Sequence, residues 1–334
     1  MPTQSDVARL AGVSTATVSR VINRRGVVTE EVRARVESAV EKLHYVPHAG
    51  ARALALQRSG TLGAIIPTLN NAIFAEGING FERCAQSLGY TFILAVSHND
   101  PQQHAELVMR MIERGVDGLL LVGNEHDAAG FSRLEKAALR HVCTWVYDER
   151  ARAPNIGFCN AQAMHDLVDH LVEHGHRNFG MLAGLSANND RARERILGVI
   201  NRLNHHGIAL PPQCIVEVDY VIRESRKAFW QLINNDVSAI ICGNDVIAQG
   251  ALLEAMKMGL RIPEDLSITG FDDLELSAEL QPALTSVDVS AQRMGEHAAK
   301  ALIDAVENKQ AVESRKLDTR LIIRRTTGPC MDFR

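Results

Sequence analysis

The stretch that decides the amino-terminal fold is Asp6-Val7-Ala8-Arg9-Leu10-Ala11-Gly12-Val13-Ser14-Thr15-Ala16-Thr17-Val18-Ser19-Arg20-Val21-Ile22-Asn23. Apolar residues recur at helical spacing on both sides of Gly12, which predicts two helices joined by a tight turn. Ala8 is small enough for the helices to cross closely, and Val13 fills the space between them. Thr3 and Asp6 have the spacing of a capping box for the first helix. Ser14 suits the cap of the second, with Val18, Val21 and Ile22 facing inward. Thr29, followed by Glu30 and Glu31, opens a third helix, where acids suit the positive end of the dipole. The second helix turns Thr15, Ala16, Thr17, Ser19 and Arg20 away from the core. These residue types suit the DNA major groove: Arg20 can fork onto a guanine edge, and Thr15 and Ala16 can meet a thymine methyl. Ser14, Thr17, Asn23 and Tyr45 are sized for phosphates. An ordinary helical hairpin is the alternative.

The charge distribution agrees with a DNA-facing end. Residues 1–60 hold nine Lys and Arg against five Asp and Glu, a surplus of +4, while the rest of the chain carries −8. The total of −4 conceals this split. At 334 residues the chain is long enough for two or three domains, and 46% hydrophobic with 23% charged residues excludes a disordered or fibrous protein. The polar start MPTQSDVARL has no apolar signal region, and no run of eighteen apolar residues occurs, so a cytoplasmic protein without a membrane span is expected. The six cysteines form no CxxC pair and are expected as free thiols in a reducing compartment.

From Thr61 onward, strand-like runs alternate with amphipathic segments. The runs are 62–67, 90–96, 118–122, 142–147, 179–183, 215–220, 238–242 and 267–271. Helical segments include 74–88, 101–114, 161–174, 191–206 and 245–258. Most of the runs are apolar without strict alternation, as strands covered on both faces are. Parallel sheets with crossover helices follow, and so many strands suit two doubly wound lobes better than one sheet. The segment 155–163 is the expected crossover. Residues 47–56 are Ala-rich but short, and an isolated helix of that length is marginal in water.

DVARLAGVSTATVSRVIN, followed by HYVPHAGARAL, resembles the LacI/GalR family of bacterial transcription regulators. The resemblance continues through RGVDGLLLV, EHGHRNFGMLAG, GNDVIAQGALLEAMKMGLRIPEDLSITGFDD and PALTSVDV, and so spans the chain. It implies an all-α helix-turn-helix headpiece (1–46), a hinge helix and linker (47–60), and an α/β core (61–334) of periplasmic-binding-protein type. Lobe 1 is expected over about 61–160 plus 290–322, and lobe 2 over about 161–289 plus the carboxyl-terminal end. The resemblance implies a repressor that binds double-stranded palindromic operator DNA as a homodimer, and a small effector, a sugar or sugar acid, between the lobes. The effector then alters operator affinity by moving one lobe. In the hinge, Leu54 matches the leucine that wedges between base steps, and Arg52 is placed to meet phosphate. His48 stands where relatives usually have Asn.

The effector site is expected where strands end, as in other open parallel sheets. The candidates are Asn70, Phe74, Asp148, Asn188, Arg191, Arg195, Tyr220, Asn244 and Asp272. Carboxylates, amides and an arginine around an aromatic ring suit a polyol. Phe74, Arg195, Asn244 and Asp272 match positions that often touch effectors in the resembling family. Arg191, Arg193 and Arg195 together suit a sugar acid or phosphate, and PTLNNAIFAEGINGFE is similar to gluconate-type members. Each candidate has a plainer reading: Asn244 and Asp245 also suit a helix cap, and the arginines a solvated helix start. His170-Leu171-Val172-Glu173-His174 matches a metalloprotease spacing, but it lies on a crossover helix, so no metal is expected. No phosphate loop, dinucleotide fingerprint or nucleophile elbow appears, so neither an enzyme nor a cofactor is expected. The rival from another class is a solute-binding protein without a DNA role.

Overall fold

Met1–Gly60 and Thr61–Arg334 form two compact units. The structure, a computed structural model, describes residues 2–22, 27–46, 58–125 and 128–330. The contacts expected of Asn23, Arg52 and Leu54 therefore lie outside the described residues.

In the first unit, α1 (Gln4–Ala11), α2 (Thr15–Ile22) and α3 (Glu30–Lys42) pack around a small core. The capping box forms: the Asp6 amide donates to Thr3 Oγ1 at 3.3 Å, and the Thr3 amide donates to Asp6 Oδ2 at 2.9 Å. Gly12 ends α1 with φ +63°, a conformation strained for a side chain, so the turn needs glycine. The Val13 amide closes that turn onto Ala8 O at 3.0 Å. Ser14 Oγ caps α2 by accepting from the Thr17 amide at 3.1 Å. Val7, Val18 and Val36 are fully buried, with Ala8, Ala11 and Ala39 filling the gaps. Val13, Val21, Ile22 and Tyr45 pack at the margin.

The second unit is α/β. Its first sheet holds β1 (Thr61–Ile66), β2 (Thr91–Val96), β3 (Gly118–Val122), β4 (Arg140–Thr144) and β5 (Asn155–Gly157), joined at the edge by β11 (Arg315–Lys316). The order is β11-β5-β4-β3-β1-β2, with every pair parallel. A second parallel sheet holds β6 (Phe179–Gly184), β7 (Ile215–Val218), β8 (Ala239–Cys242) and β9 (Ser267–Thr269), in the order β7-β6-β8-β9. β10 (Ser286–Asp288) and β12 (Arg320–Ile322) make an antiparallel ribbon. The period of two is visible in the packing. Leu120 and Ile241 face one apolar cluster that includes residues of both sheets. Leu119 and Leu121 face a second cluster, and Ile240 and Cys242 a third. Each sheet is thus covered on both faces, which is why its strands show little alternation.

The helices are α4 (Ala72–Ser87), α5 (Pro101–Glu113), α6 (Ala128–Lys136), α7 (Asn160–Ala163), α8 (His165–Glu173), α9 (Asp190–His205), α10 (Ile222–Ile233), α11 (Asp245–Lys257), α12 (Glu275–Glu279) and α13 (Ala291–Asn308). The segment 161–174, expected as one helix, is divided at Met164, whose amide bonds back only three residues, to Ala161 O. The segment 155–163 splits between β5 and α7, so the chain leaves the first sheet at Phe158–Cys159. The short strands β5, β10, β11 and β12, of two or three residues each, carry too little pattern to predict. All six cysteines are free, with Cys143, Cys214 and Cys242 buried and Cys84, Cys159 and Cys330 half-buried.

The metalloprotease-like histidines do structural work. His170 Nε2 bonds Thr327 Oγ1 at 2.9 Å, the Cys330 amide donates to His174 O at 2.7 Å, and His176 Nε2 reaches Ser267 Oγ and Gly328 O. They pin segment 326–330 to the second sheet. Burial, with His174 and His176 nearby, lowers the His170 pKa to about 4. A lowered histidine pKa favours the neutral fold, so its contribution is complete above about pH 6.5 and is lost as pH falls towards 4. The unfolding free energy is expected to fall over that window, by at most about 1.4 kcal/mol per pH unit from this group, and the melting temperature with it. The slope should flatten in His170→Gln; an unchanged slope in calorimetry would exclude this residue as its source.

Candidate functional site

The exposed residues of α2 are Thr15, Ala16 and Arg20, with Thr17 and Ser19 half-buried. Thr15 and Ser19, and Ala16 and Arg20, are spaced four apart, so these four share one helix face. Val18, fully buried, points the opposite way. The face is small, polar and basic, as a groove-reading surface is. Ser14 and Thr17 bond each other through their hydroxyls at 2.9 Å while Ser14 caps the helix. Tyr45 is half-buried against the headpiece core.

In the second unit a cleft opens where strands of both sheets end. An inner chamber is lined from the first sheet's side by Asn71, Phe74, Asn99 and Trp145. Asn189, Arg191, Arg195, Tyr220 and Asp272 line it from the second. An outer chamber adds Ser97, Asp100, His104, Glu125 and Asn188. Arg191, Asn99 and Pro67 line both chambers.

Arg195 is the centre of the inner chamber. Its guanidinium lies 4.8 Å from the Phe271 ring centroid, and Nη1 donates to Asn160 Oδ1 at 2.7 Å. Asn160 in turn donates to Trp145 O at 2.9 Å. Arg195 Nε is buried with no hydrogen-bond partner among the described residues. The same holds for Trp145 Nε1. Asn244 Oδ1 caps α11 by accepting from the Ile247 amide at 2.9 Å, and the side chain lies beside Asp272. Burial pushes the Asp272 carboxyl well above its usual range, although the Arg195 charge opposes the shift. Phe74 and Trp145 meet edge to face at 5.2 Å. Trp145, Asp272 and Asp273 have φ of +58°, +107° and +55°, so strained backbone gathers at the cleft. Tyr220 fits because Gly184 faces it; a Cβ there would lie 2.1 Å from Tyr220 Oη.

Several expectations need correction. Asn70 is exposed and lines neither chamber; its amide bonds Thr68 Oγ1, and the next residue, Asn71, turns inward. Asp148 is also exposed, because its carboxylate is used within a local turn, accepting from the Arg150 amide at 2.9 Å. Arg191, Arg193 and Arg195 do not act as one cationic patch. Arg191 Nη1 bonds Asp190 Oδ1 at 2.8 Å and Val122 O, and Arg193 pairs with Glu125 at 2.9 Å. Asn188 lies in the outer chamber, and Asn244 lines neither chamber but lies beside Asp272. Trp145 and Asn71 escaped the sequence reading. Trp145 sits just past the end of β4, so the strand-end rule could have found it; its apolar surroundings hid it.

Residues 3–48 match the description "Bacterial regulatory proteins, lacI family", and residues 168–327 match "Periplasmic binding protein-like domain". The HTH-type transcriptional repressor PurR of Klebsiella pneumoniae (strain 342) is 34% identical over 343 residues, covering 100% of both chains. A LacI-family transcriptional regulator from Silicibacter pomeroyi superposes with TM-score 0.86 at 26% identity, covering 98% of this chain and 99% of the other. The lac repressor dimer, solved bound to operator and the anti-inducer ONPF, gives 0.87 at 25% identity with the same coverage. The regulator CelR in complex with cellobiose gives 0.72 at 26% identity, covering 98% and 100%. The headpiece, the two-sheet core and a relative matched from end to end agree: this chain belongs to the lacI family of bacterial regulatory proteins.

Proposed function

We propose that this regulator is a homodimeric cytoplasmic repressor whose palindromic operator is read by Thr15, Ala16, Ser19 and Arg20, and whose effector is a sugar acid held by Arg195, Asp272, Trp145 and Phe74. Ser14, Thr17 and Tyr45, with Asn23, Arg52 and Leu54, complete the DNA contact set. The observation that carries the effector class is the surplus of buried donors. Arg195 Nε and Trp145 Nε1, both on cleft-lining residues, have no acceptor among the described residues, which is costly unless a ligand supplies one. A carboxylate on a polyol supplies several acceptors, its hydroxyls can bond Asp272, and its apolar face can lie on the aromatic pair. Among the described residues no helix is long and apolar enough to cross a membrane.

The DNA half is tested with duplexes selected from a random pool by the wild-type protein. Arg20→Ala is expected to weaken binding to the selected palindrome about 5- to 100-fold and to relax preference at one base pair per half-site. Anisotropy titrations within twofold of wild type would remove Arg20 from base recognition. The effector half is tested by thermal shift against sugars, sugar acids and nucleobases. A sugar acid such as D-gluconate at a hundred times its Kd should stabilise by about 2.7 kcal/mol. Stabilisation by a neutral sugar or a nucleobase, with none from any acid, would overturn the class.

A further inference from the structure

Asp272 and Asp273 stand in consecutive left-handed conformations, at φ +107° and +55°. Neither is glycine, so this turn is held by its surroundings rather than by its own preference. The holding group is Asp245, at the start of α11, which is fully buried. Its Oδ2 accepts from the Leu274 amide at 2.7 Å and from Ser277 Oγ at 2.6 Å. Its Oδ1 accepts from Ser286 Oγ at 2.6 Å, and Ser286 Oγ in turn accepts from the Asp273 amide at 3.1 Å. The turn therefore hangs from one carboxylate at two backbone amides, one of them through a serine relay. Gly270 makes room: a Cβ there would come 2.1 Å from Asp245 Oδ1. On its far side Arg324 Nη1 bonds Asp273 Oδ1 and Leu284 O, so the turn is clamped from two directions.

We propose that Asp245 is a positioning residue for effector binding: it holds the strained turn that aims Asp272 into the cleft, without touching the ligand itself. The proposal rests on the reading of Asp272 as an effector ligand. Only an acceptor-only group can take three donors on two oxygens, so an ionised carboxylate is the chemistry the position needs. An amide of the same shape presents one acceptor and two donors, and it would face the Leu274 N–H or the serines with the wrong polarity. The titratable groups facing Asp245 are the Asp272 and Asp273 carboxyls and the Cys242 thiol, with Arg324 beyond Asp273. Burial pushes the Asp245 carboxyl up to about 6, against the pull of its three donors.

Three variants test this: Asp245→Asn, Ser277→Ala and Ser286→Ala, each in the full chain. Amide hydrogen exchange over residues 271–277 is read without ligand, and D-gluconate affinity is read by calorimetry. Asp245→Asn is expected to speed exchange at Asp273 and Leu274 at least tenfold and to weaken gluconate about tenfold, with smaller losses in the serine variants. In wild type the Leu274 amide proton shift should titrate near pH 6, a signature that Asp245→Asn abolishes. Should Asp245→Asn fail to fold, the serine variants carry the test. Turn exchange unchanged in every folded variant overturns the proposal, as does gluconate affinity within twofold of wild type when the turn has loosened. If the turn loosens but wild type binds no gluconate, the holding role stands and the sugar-acid assignment fails.

Discussion

Arg195→Ala is expected to lower effector affinity by more than a hundredfold. Arg195 is buried, stacked on Phe271 and bonded to Asn160, so its guanidinium reaches the cleft already oriented. Truncation removes the donor with no acceptor of its own and strips Asp272 of the charge that opposes its burial. Removing one partner of a buried charged interaction typically costs about 2–5 kcal/mol, and about 2.8 kcal/mol is already a hundredfold. Arg195→Lys should recover little, because an ammonium cannot reproduce the planar fork or the stacking. Calorimetry with D-gluconate gives the measurement. Because the guanidinium is far from α2 in sequence and belongs to the other unit, selected-operator binding by the ligand-free protein serves as the folding control. An Arg195→Ala protein that binds gluconate within threefold of wild type would sink the assignment.

Gly295→Ala is expected to destabilise the second unit by about 2–3 kcal/mol, and two effects compete in that figure. Alanine favours helix over glycine by about 1 kcal/mol, which on α13 alone predicts stabilisation. The tertiary contact reverses the sign. A Cβ at Gly295 would lie 1.8 Å from Gly77 O and 2.8 Å from the Phe81 amide nitrogen, both backbone atoms of α4. A Cβ at Gly80 would lie 2.1 Å from Gln292 O, so the two helices touch main chain to main chain. No rotamer relieves such an overlap. Overpacking against yielding side chains already costs about 1–3 kcal/mol, and backbone yields less. Gly77 adds the link to function, because its missing Cβ is the space that the Trp145 ring occupies at the cleft. Chemical denaturation should show the loss; a Gly295→Ala protein as stable as wild type would mean that the helices can separate at no cost.

The headpiece was legible almost residue by residue. Its capping box, its Gly12 turn and its buried Val7 and Val18 depend on neighbours three to eleven positions away, which periodicity captures. Strands β1 to β4 and β6 to β9 were legible for the same reason. The cleft was legible only as a direction. The strand-end rule named Phe74, Arg195, Tyr220 and Asp272, which do meet in the inner chamber, but it also named Asn70 and Asp148, which turn to solvent. A polar residue after a strand is equally suited to a cleft wall and to a local turn. The choice rests on a single peptide's orientation, as the inward Asn71 beside the outward Asn70 shows.

Local pattern and charge by themselves determined a three-helix, basic, groove-reading end and an α/β body, because helix periods and net charge are sums over near neighbours. Only the tertiary structure decided which polar side chains converge and which are already spent. Arg191 and Arg193 look like Arg195 in sequence, yet Asp190 and Glu125 neutralise them while Arg195 retains an unpartnered donor. The inner chamber draws on residues from Pro67 to Asp272, far apart along the chain. Their chemistry is set by partners that folding brings together, so no reading of adjacent residues could assign it.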